Sequence, residues 1–454
     1  MNNSSIQHQR VEQLNRNVKH EHACLFYEGS CAFGSEEIQR YRLGNGLALL
    51  LLTDRSAPTV SYSTWFRVGS RHEQPGKTGL AHFFEHLMFN ETTSLKPGEL
   101  DRKLEENGAE SNAATWVDYT YYYESLPANR LSLAIRLESD RMQNLVLKEA
   151  QISSEKEVVS NERRFRVEDD IEGSISEFLY KHAFTKHAYG WPTIGWMEDI
   201  ATYSPADCES FYRTYYAPNN ATIVIVGDIR ESNVLKKIQE AYGPIPPSYI
   251  PAENIFPEPP QLTAQLFSLK KPTATEKILM GYRGPALGDA DHAALVMFNE
   301  LLFGGRASRI HRLLVTQQAL ASEVRGWVSP FVHPGLYEIG VHVHPGHTIA
   351  EVQPILDAEL DRIRNELVSE DELIRAKTHL ELAILQSLET ASGKAEQIGF
   401  YETTLSEPAG IFRRLEMYKR LTAAELRNAA RRYLNESQRT VIHVYPEGTP
   451  KELS

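Results

Sequence analysis

The sequence predicts an α+β protein laid out in two halves, and three observations carry that reading. At 454 residues the chain is longer than one hydrophobic core usually organises, so two or more domains are expected. Seven prolines (Pro244, Pro246, Pro247, Pro251, Pro257, Pro259, Pro260) fall within the eighteen residues Gly243–Pro260. That density excludes helix and interior strand and leaves an extended, fairly stiff linker. On either side the order is the same: a strand-rich start, a long helix, further strands, then helices. The expected organisation is an N-terminal arm over 1–36, a first domain over 37–243, the linker over 244–260 and a second domain over 261–454.

Met1–His22 is rich in Asn, Ser, Gln and His and has no apolar stretch, so a disordered or loosely docked arm is expected. As written it lacks the basic start and apolar segment of a secretory signal, which predicts a cytoplasmic protein, or a periplasmic one if a signal was removed. Three cysteines without a C-x-x-C fit a reducing compartment, with a Cys24–Cys31 bridge open if the protein is exported. No apolar run approaches the ~18–20 residues of a membrane helix. A net charge of −12 argues against nucleic acid as a partner.

Glu37–Glu73 reads as strands, with Gly44-Asn45-Gly46 turning a hairpin and Val60–Val68 forming another strand. Gln74–Gly79 is an irregular loop with Thr78 as a plausible N-cap. Helix is expected over Pro97–Asn107, ending at Gly108, and a strand over Gly108–Tyr123 from its Thr, Val and Tyr content. Past the linker, Gln265–Tyr282 is strand-rich. In Ile349–Val368, Val352, Ile355, Leu356, Leu360, Ile363 and Leu367 form a helical core stripe, and Ser369–Glu372 is a capping box.

The chemistry concentrates in Ala81–Asn90, AHFFEHLMFN. On a helix, His82 and His86 lie one turn apart on one face, about 5–6 Å between Cβ atoms, so both imidazoles reach one metal ion. Glu85 beside them is placed to take a proton from a metal-bound water. This H-x-x-E-H order is the inverzincin signature. A zinc site needs a third protein ligand, and Ser153–Arg166 offers Glu155 and Glu162, seven apart and on one helical face.

With these two segments the chain resembles the pitrilysin/insulysin family of zinc metallopeptidases, in its short-chain, processing-peptidase-like subfamily. The resemblance implies one zinc per chain on His82, His86 and Glu162, with Glu85 as general base. Glu155 becomes the carboxylate that orients a ligand imidazole. It implies two similar α/β-roll domains, each a largely antiparallel sheet flanked by helices, of which only the first is catalytic, forming half of a clam-like chamber. It also makes Asn112 and Ala113 substrate contacts, on a sheet-edge strand to which a peptide adds. His187–Ile200 and Phe211–Asp228 match the family as mostly architectural blocks.

Phe303–Gly326 resembles the family's glycine-containing segment, but Val315 and Ser322 stand where active members or their partners carry an Arg and a Tyr that bind the substrate carbonyl. The expectation is a heterodimer with a metal-less sister chain supplying that pair. A homodimer, in which Arg312 or Arg325 substitutes, stays open. The rival expectation is a non-catalytic scaffold of the same fold.

Overall fold

The computed structural model describes residues 3–16, 18–253 and 255–448. Met1, Asn2 and Asn17 of the predicted arm lie outside the described residues. The strands are β1 (Leu25–Phe33), β2 (Glu36–Leu43), β3 (Ala48–Thr53), β4 (Thr59–Phe66), β5 (Glu110–Thr115), β6 (Thr120–Pro127), β7 (Ala221–Gly227), β8 (Gln265–Lys271), β9 (Lys277–Arg283), β10 (Ala321–Val328), β11 (Leu336–Val343) and β12 (Arg439–Pro446). The helices up to the linker are α1 (Asn3–Asn15), α2 (Leu80–Leu87), α3 (Glu99–Glu105), α4 (Leu131–Asn144), α5 (Glu149–Arg163), α6 (Ile171–Ala183), α7 (Met197–Ala201), α8 (Pro205–Tyr215) and α9 (Glu231–Tyr242). Those after it are α10 (Ala290–Phe303), α11 (Ile349–Asn365), α12 (Glu370–Ser387), α13 (Ala391–Leu405), α14 (Gly410–Arg420) and α15 (Ala423–Tyr433). None of the described helices is long and apolar enough to cross a membrane.

Two compact units divide the chain: 1–161, 192–254 and 386–412 form one, and 162–191, 255–385 and 413–454 the other. The first holds a seven-stranded sheet, order β1-β2-β3-β7-β4-β6-β5, and the second a five-stranded sheet, order β10-β11-β9-β12-β8. Both are antiparallel except for one parallel pair each, β3/β7 and β12/β8. The α+β class expected from the sequence is therefore the class observed.

Strand position explains strand composition. β7 is buried along its whole length between two neighbours, which is why ATIVIVG is a continuous apolar run. β6 alternates buried and half-buried residues, so its tyrosines divide between the core and the opposite face. In the first unit α13 packs on β4 and β7. A Cβ on Gly399 would lie 2.1 Å from the Trp65 ring, so only glycine permits that approach. In the second unit α6 lies on β9 and β12 in the corresponding way.

Several expectations are corrected. The N-terminal stretch is not a loose arm: α1 docks through polar contacts, with buried Gln7 accepting from Tyr41 Oη at 2.7 Å and Asn15 bonding both main-chain groups of Leu25. Hydrogen bonds rather than an apolar stripe hold it, so periodicity does not reveal it. β1 also begins before the first expected strand. Because β1 is extended, Cys24 and Cys31 lie about 20 Å apart, which excludes their bridge, and all three cysteines are free thiols. Gly108–Tyr123 is not one strand but the hairpin β5/β6, closed by Trp116 N–H donating to Tyr119 O. Leu367 is exposed, because α11 ends at Asn365 before its turn comes round. The Ser369–Glu372 capping box forms as expected.

Acid sensitivity follows from carboxylates held down in both units, of which Asp54 and Glu372 serve as examples. Burial opposes ionisation of Asp54, yet Lys394 and the Ser56 hydroxyl and N–H hold its carboxyl down at about 2. The Arg309 guanidinium holds Glu372 down at about 2. A depressed folded pKa adds stability above the unfolded value of about 4 and loses it as pH falls toward 2. Calorimetric scans are expected to show Tm falling steadily between pH 5 and pH 2. In Arg309→Met that slope is expected to be shallower, and an unchanged slope would contradict the assignment.

Candidate metal centre

The loop before α2 sets where the helix begins. Gly79 has φ +92°, and a Cβ there would sit 2.5 Å from Ile194 O and 2.7 Å from Gly195 Cα, so no other residue fits. Thr78 is not the cap: its hydroxyl donates to Asp199 at 2.6 Å and accepts from Trp196 N–H at 3.0 Å. Glu73 does that work instead, its two carboxylate oxygens accepting from Gly79 N–H (2.7 Å) and Ala81 N–H (2.8 Å). Burial pushes the Glu73 carboxyl well above the usual range. These contacts satisfy amide groups that the helix cannot satisfy itself.

One face of α2 is core: Leu80, Ala81, Phe83, Phe84 and Leu87 are buried, and Phe84 stacks on Phe211 and Tyr212. The other face presents His82, Glu85 and His86 half-buried, with the two imidazole centroids 4.9 Å apart. Tyr122 of β6 donates to Phe84 O at 3.1 Å, tying the helix to the sheet.

Helix α5 brings the carboxylates. Glu155 Oε1 lies 3.0 Å from His86 Nδ1, and its Oε2 accepts from Asn90 Nδ2 at 3.2 Å. That contact occupies Nδ1 and leaves Nε2 of His86 available to a metal ion. Two turns further along the same helix stands Glu162. Among the described residues, His82, His86 and Glu162 are the one group of three or more His, Cys, Asp or Glu whose ligand atoms all lie within 4.8 Å of one another. Two neutral imidazoles and a carboxylate at that spacing fit a zinc ion in an open, three-ligand site. Glu85, His86, Phe89, Asn90 and Glu155 line a cavity of about 320 Å³ beside it.

The structure also places the other predicted residues. Asn112 is exposed and Ala113 buried on β5, the edge strand of the first sheet, and α2 packs against that strand. Val315 lies in a π-helical turn, His311–Gln317, and Ser322 lies on β10. Arg325 is engaged by Glu172 at 3.4 Å, and Arg312 is exposed. Sequence reasoning missed Glu73, Asn90 and Arg166, whose Nε lies 3.0 Å from Glu162 Oε1. Asn90 and Arg166 each left a signal, standing four residues after His86 and after Glu162, whereas Glu73 left none.

Two family descriptions match the chain: "Insulinase (Peptidase family M16)" over residues 49–195 and "Peptidase M16 inactive domain" over residues 202–380. The chain belongs to peptidase family M16. This M16 chain is 28 % identical over 409 residues to the Helicobacter pylori protein named zinc protease PqqE, covering 89 % of this chain and 92 % of that one. It is 25 % identical over 373 residues to the Bacillus subtilis protein named uncharacterized zinc protease YmxG, covering 82 % and 89 %. A solved structure described as a protease from Helicobacter pylori matches with a TM-score of 0.87 at 27 % identity, covering 90 % of this chain and all of that one.

Proposed function

We propose that this chain is a zinc-dependent endopeptidase of the short-chain, processing-peptidase-like kind, with the catalytic site in its 37–243 half. The observation that carries the reading is the convergence of His82, His86 and Glu162 within 4.8 Å, with Glu85 on the same helical face. In this reading those three residues would hold one zinc ion, which would supply Lewis-acid polarisation of the attacking water and of the scissile carbonyl. Glu85 takes the proton from the water and returns it to the leaving amine. Glu155 holds the His86 ring through Nδ1, which would leave Nε2 for the ion. Asn112 and Ala113 lie where an extended peptide pairs with the edge of the sheet, so substrates are peptides or unfolded segments.

Val315 and Ser322 offer no guanidinium or phenol for the substrate carbonyl, and loss of one such donor costs about 10²–10³ in rate. The partner in this reading is a metal-less homologous subunit that carries an Arg and a Tyr. The rival reading is a non-catalytic scaffold of the same fold. Metal analysis separates them: the peptidase reading expects one zinc per chain, lost in Glu162→Gln, and a metal-free folded chain would overturn it. Cleavage of a quenched peptide library by the zinc-loaded chain alone tests the partner. Slow turnover, raised by an Arg/Tyr-bearing sister, is expected, whereas full turnover by the chain alone would favour a homodimer.

A further inference from the structure

The two sheets repeat one another. The run β5-β6-β4-β7-β3 of the first corresponds to β10-β11-β9-β12-β8 of the second, with the parallel pair at the same place. By that correspondence α10, after β9, stands for α2, after β4, and α12 stands for α5. In the first half His86 Nδ1 meets Glu155 Oε1 at 3.0 Å, and in the second His379 Nδ1 meets Glu300 Oε1 at 2.9 Å. The same imidazole–carboxylate contact bridges the same helix pair, with the residue types exchanged. A phenylalanine follows three residues after the first partner in each, Phe89 and Phe303. The metal-ligand positions are lost, since Val296 and Asn299 stand for His82 and Glu85, and Gln386 stands seven residues after His379, as Glu162 does after Glu155.

The cleft itself is retained. A cavity of about 250 Å³ is lined by Glu300, Gly304, Arg306, Arg375 and His379, among others, in the place that the metal-helix cavity takes in the first half. Gly304 stands where the first half has Asn90, and a Cβ there would lie 2.0 Å from Glu300 Oε1. Glycine therefore lets the carboxylate fold back onto His379. The guanidinium groups of Arg306 and Arg375 have no partner among the described residues, in a chain whose arginines mostly pair with carboxylates. Of the charged residues that line the cavity, Glu300 and His379 engage each other, which leaves the two cations Arg306 and Arg375.

We propose that this cleft is a binding site for a small oxyanion, a carboxylate or a phosphate, held by the forks of Arg306 and Arg375. Planar guanidinium donors match both anions in a bidentate way. The site is independent of the zinc reading, because it uses none of those residues.

Calorimetric titration of the zinc-loaded full chain tests it, with inorganic phosphate in one arm. A short peptide with a free C-terminal carboxylate, compared with its C-terminal amide, forms the other arm, in a Glu85→Gln background that prevents cleavage. One equivalent of one anion is expected to bind, at least tenfold more weakly in R306A/R375A, a tenfold loss being about 1.4 kcal/mol. Phosphate alone binding points to free phosphate or a phosphoester; preference for the free peptide over its amide points to a chain terminus. Glu300→Gln removes an opposing charge and is expected to tighten binding, a direction that misfolding does not produce. Binding unchanged in R306A/R375A, or no saturable binding of either anion up to about 10 mM, would overturn the proposal.

Discussion

Glu85→Gln is expected to lower peptide turnover by about 10²–10⁴-fold in the assembly that cleaves, with zinc retained at one per chain. The amide keeps the size and much of the polarity of the carboxylate, so α2 and its buried face are undisturbed. What it loses is the capacity to accept a proton from the attacking water. His82, His86 and Glu162, the candidate ligands, are untouched. Metal analysis alongside turnover therefore separates a lost base from a lost ion. Wild-type turnover in the variant would remove Glu85 from the chemistry, and zinc loss would make it a ligand.

Arg141→Met is expected to destabilise the first unit by about 3–5 kcal/mol, because it strands two carboxylates in the core. Arg141 of α4 is 1 % exposed and pairs with Glu138 Oε1 at 2.5 Å and Glu124 Oε1 at 3.5 Å, both themselves buried. Burial and the neighbouring Glu138 push the Glu124 carboxyl well up, and the Arg141 guanidinium opposes that rise. The guanidinium also lies 4.4 Å from the Tyr122 ring centroid and 5.3 Å from that of Phe89. Tyr122 holds the Phe84 carbonyl and Phe89 lines the cavity, so the loss is expected to loosen α2 as well. Denaturant titration of Arg141→Met and of the triple variant E124Q/E138Q/R141M checks the cause. The triple variant should recover much of the loss, since no charge remains to be stranded. A cost below about 1 kcal/mol in the single variant would contradict the argument.

The two segments of the candidate metal centre were legible in the chain because the spacings inside each are local. His82, Glu85 and His86 share a face through the helical repeat alone, and Glu155 and Glu162 share another for the same reason. The Gly44–Gly46 turn marked the β2/β3 hairpin, and the proline cluster marked a stretch without helix or strand among its described residues. The helix cap was not legible, because Glu73 reaches Gly79 and Ala81 across a loop whose path no periodicity encodes. The β5/β6 turn was hidden by tyrosines and threonines that suit a strand on either side of it. Docking of α1 was hidden because buried Gln7 and Asn15 carry no apolar signal.

By itself, then, the sequence determined which side chains share a helix face, where the first hairpin turns, and the family to which the chain belongs. Only the tertiary structure decided that His86 meets Glu155 and not Glu162 through Nδ1, that α13 covers the first sheet and α6 the second, and that the second half keeps a cleft of its own. The physical reason is distance along the chain. Periodicity of 3.6 or 2 residues is written locally, whereas the approach of Gly399 to Trp65 or of Glu300 to His379 depends on shape and charge matching between segments far apart in sequence.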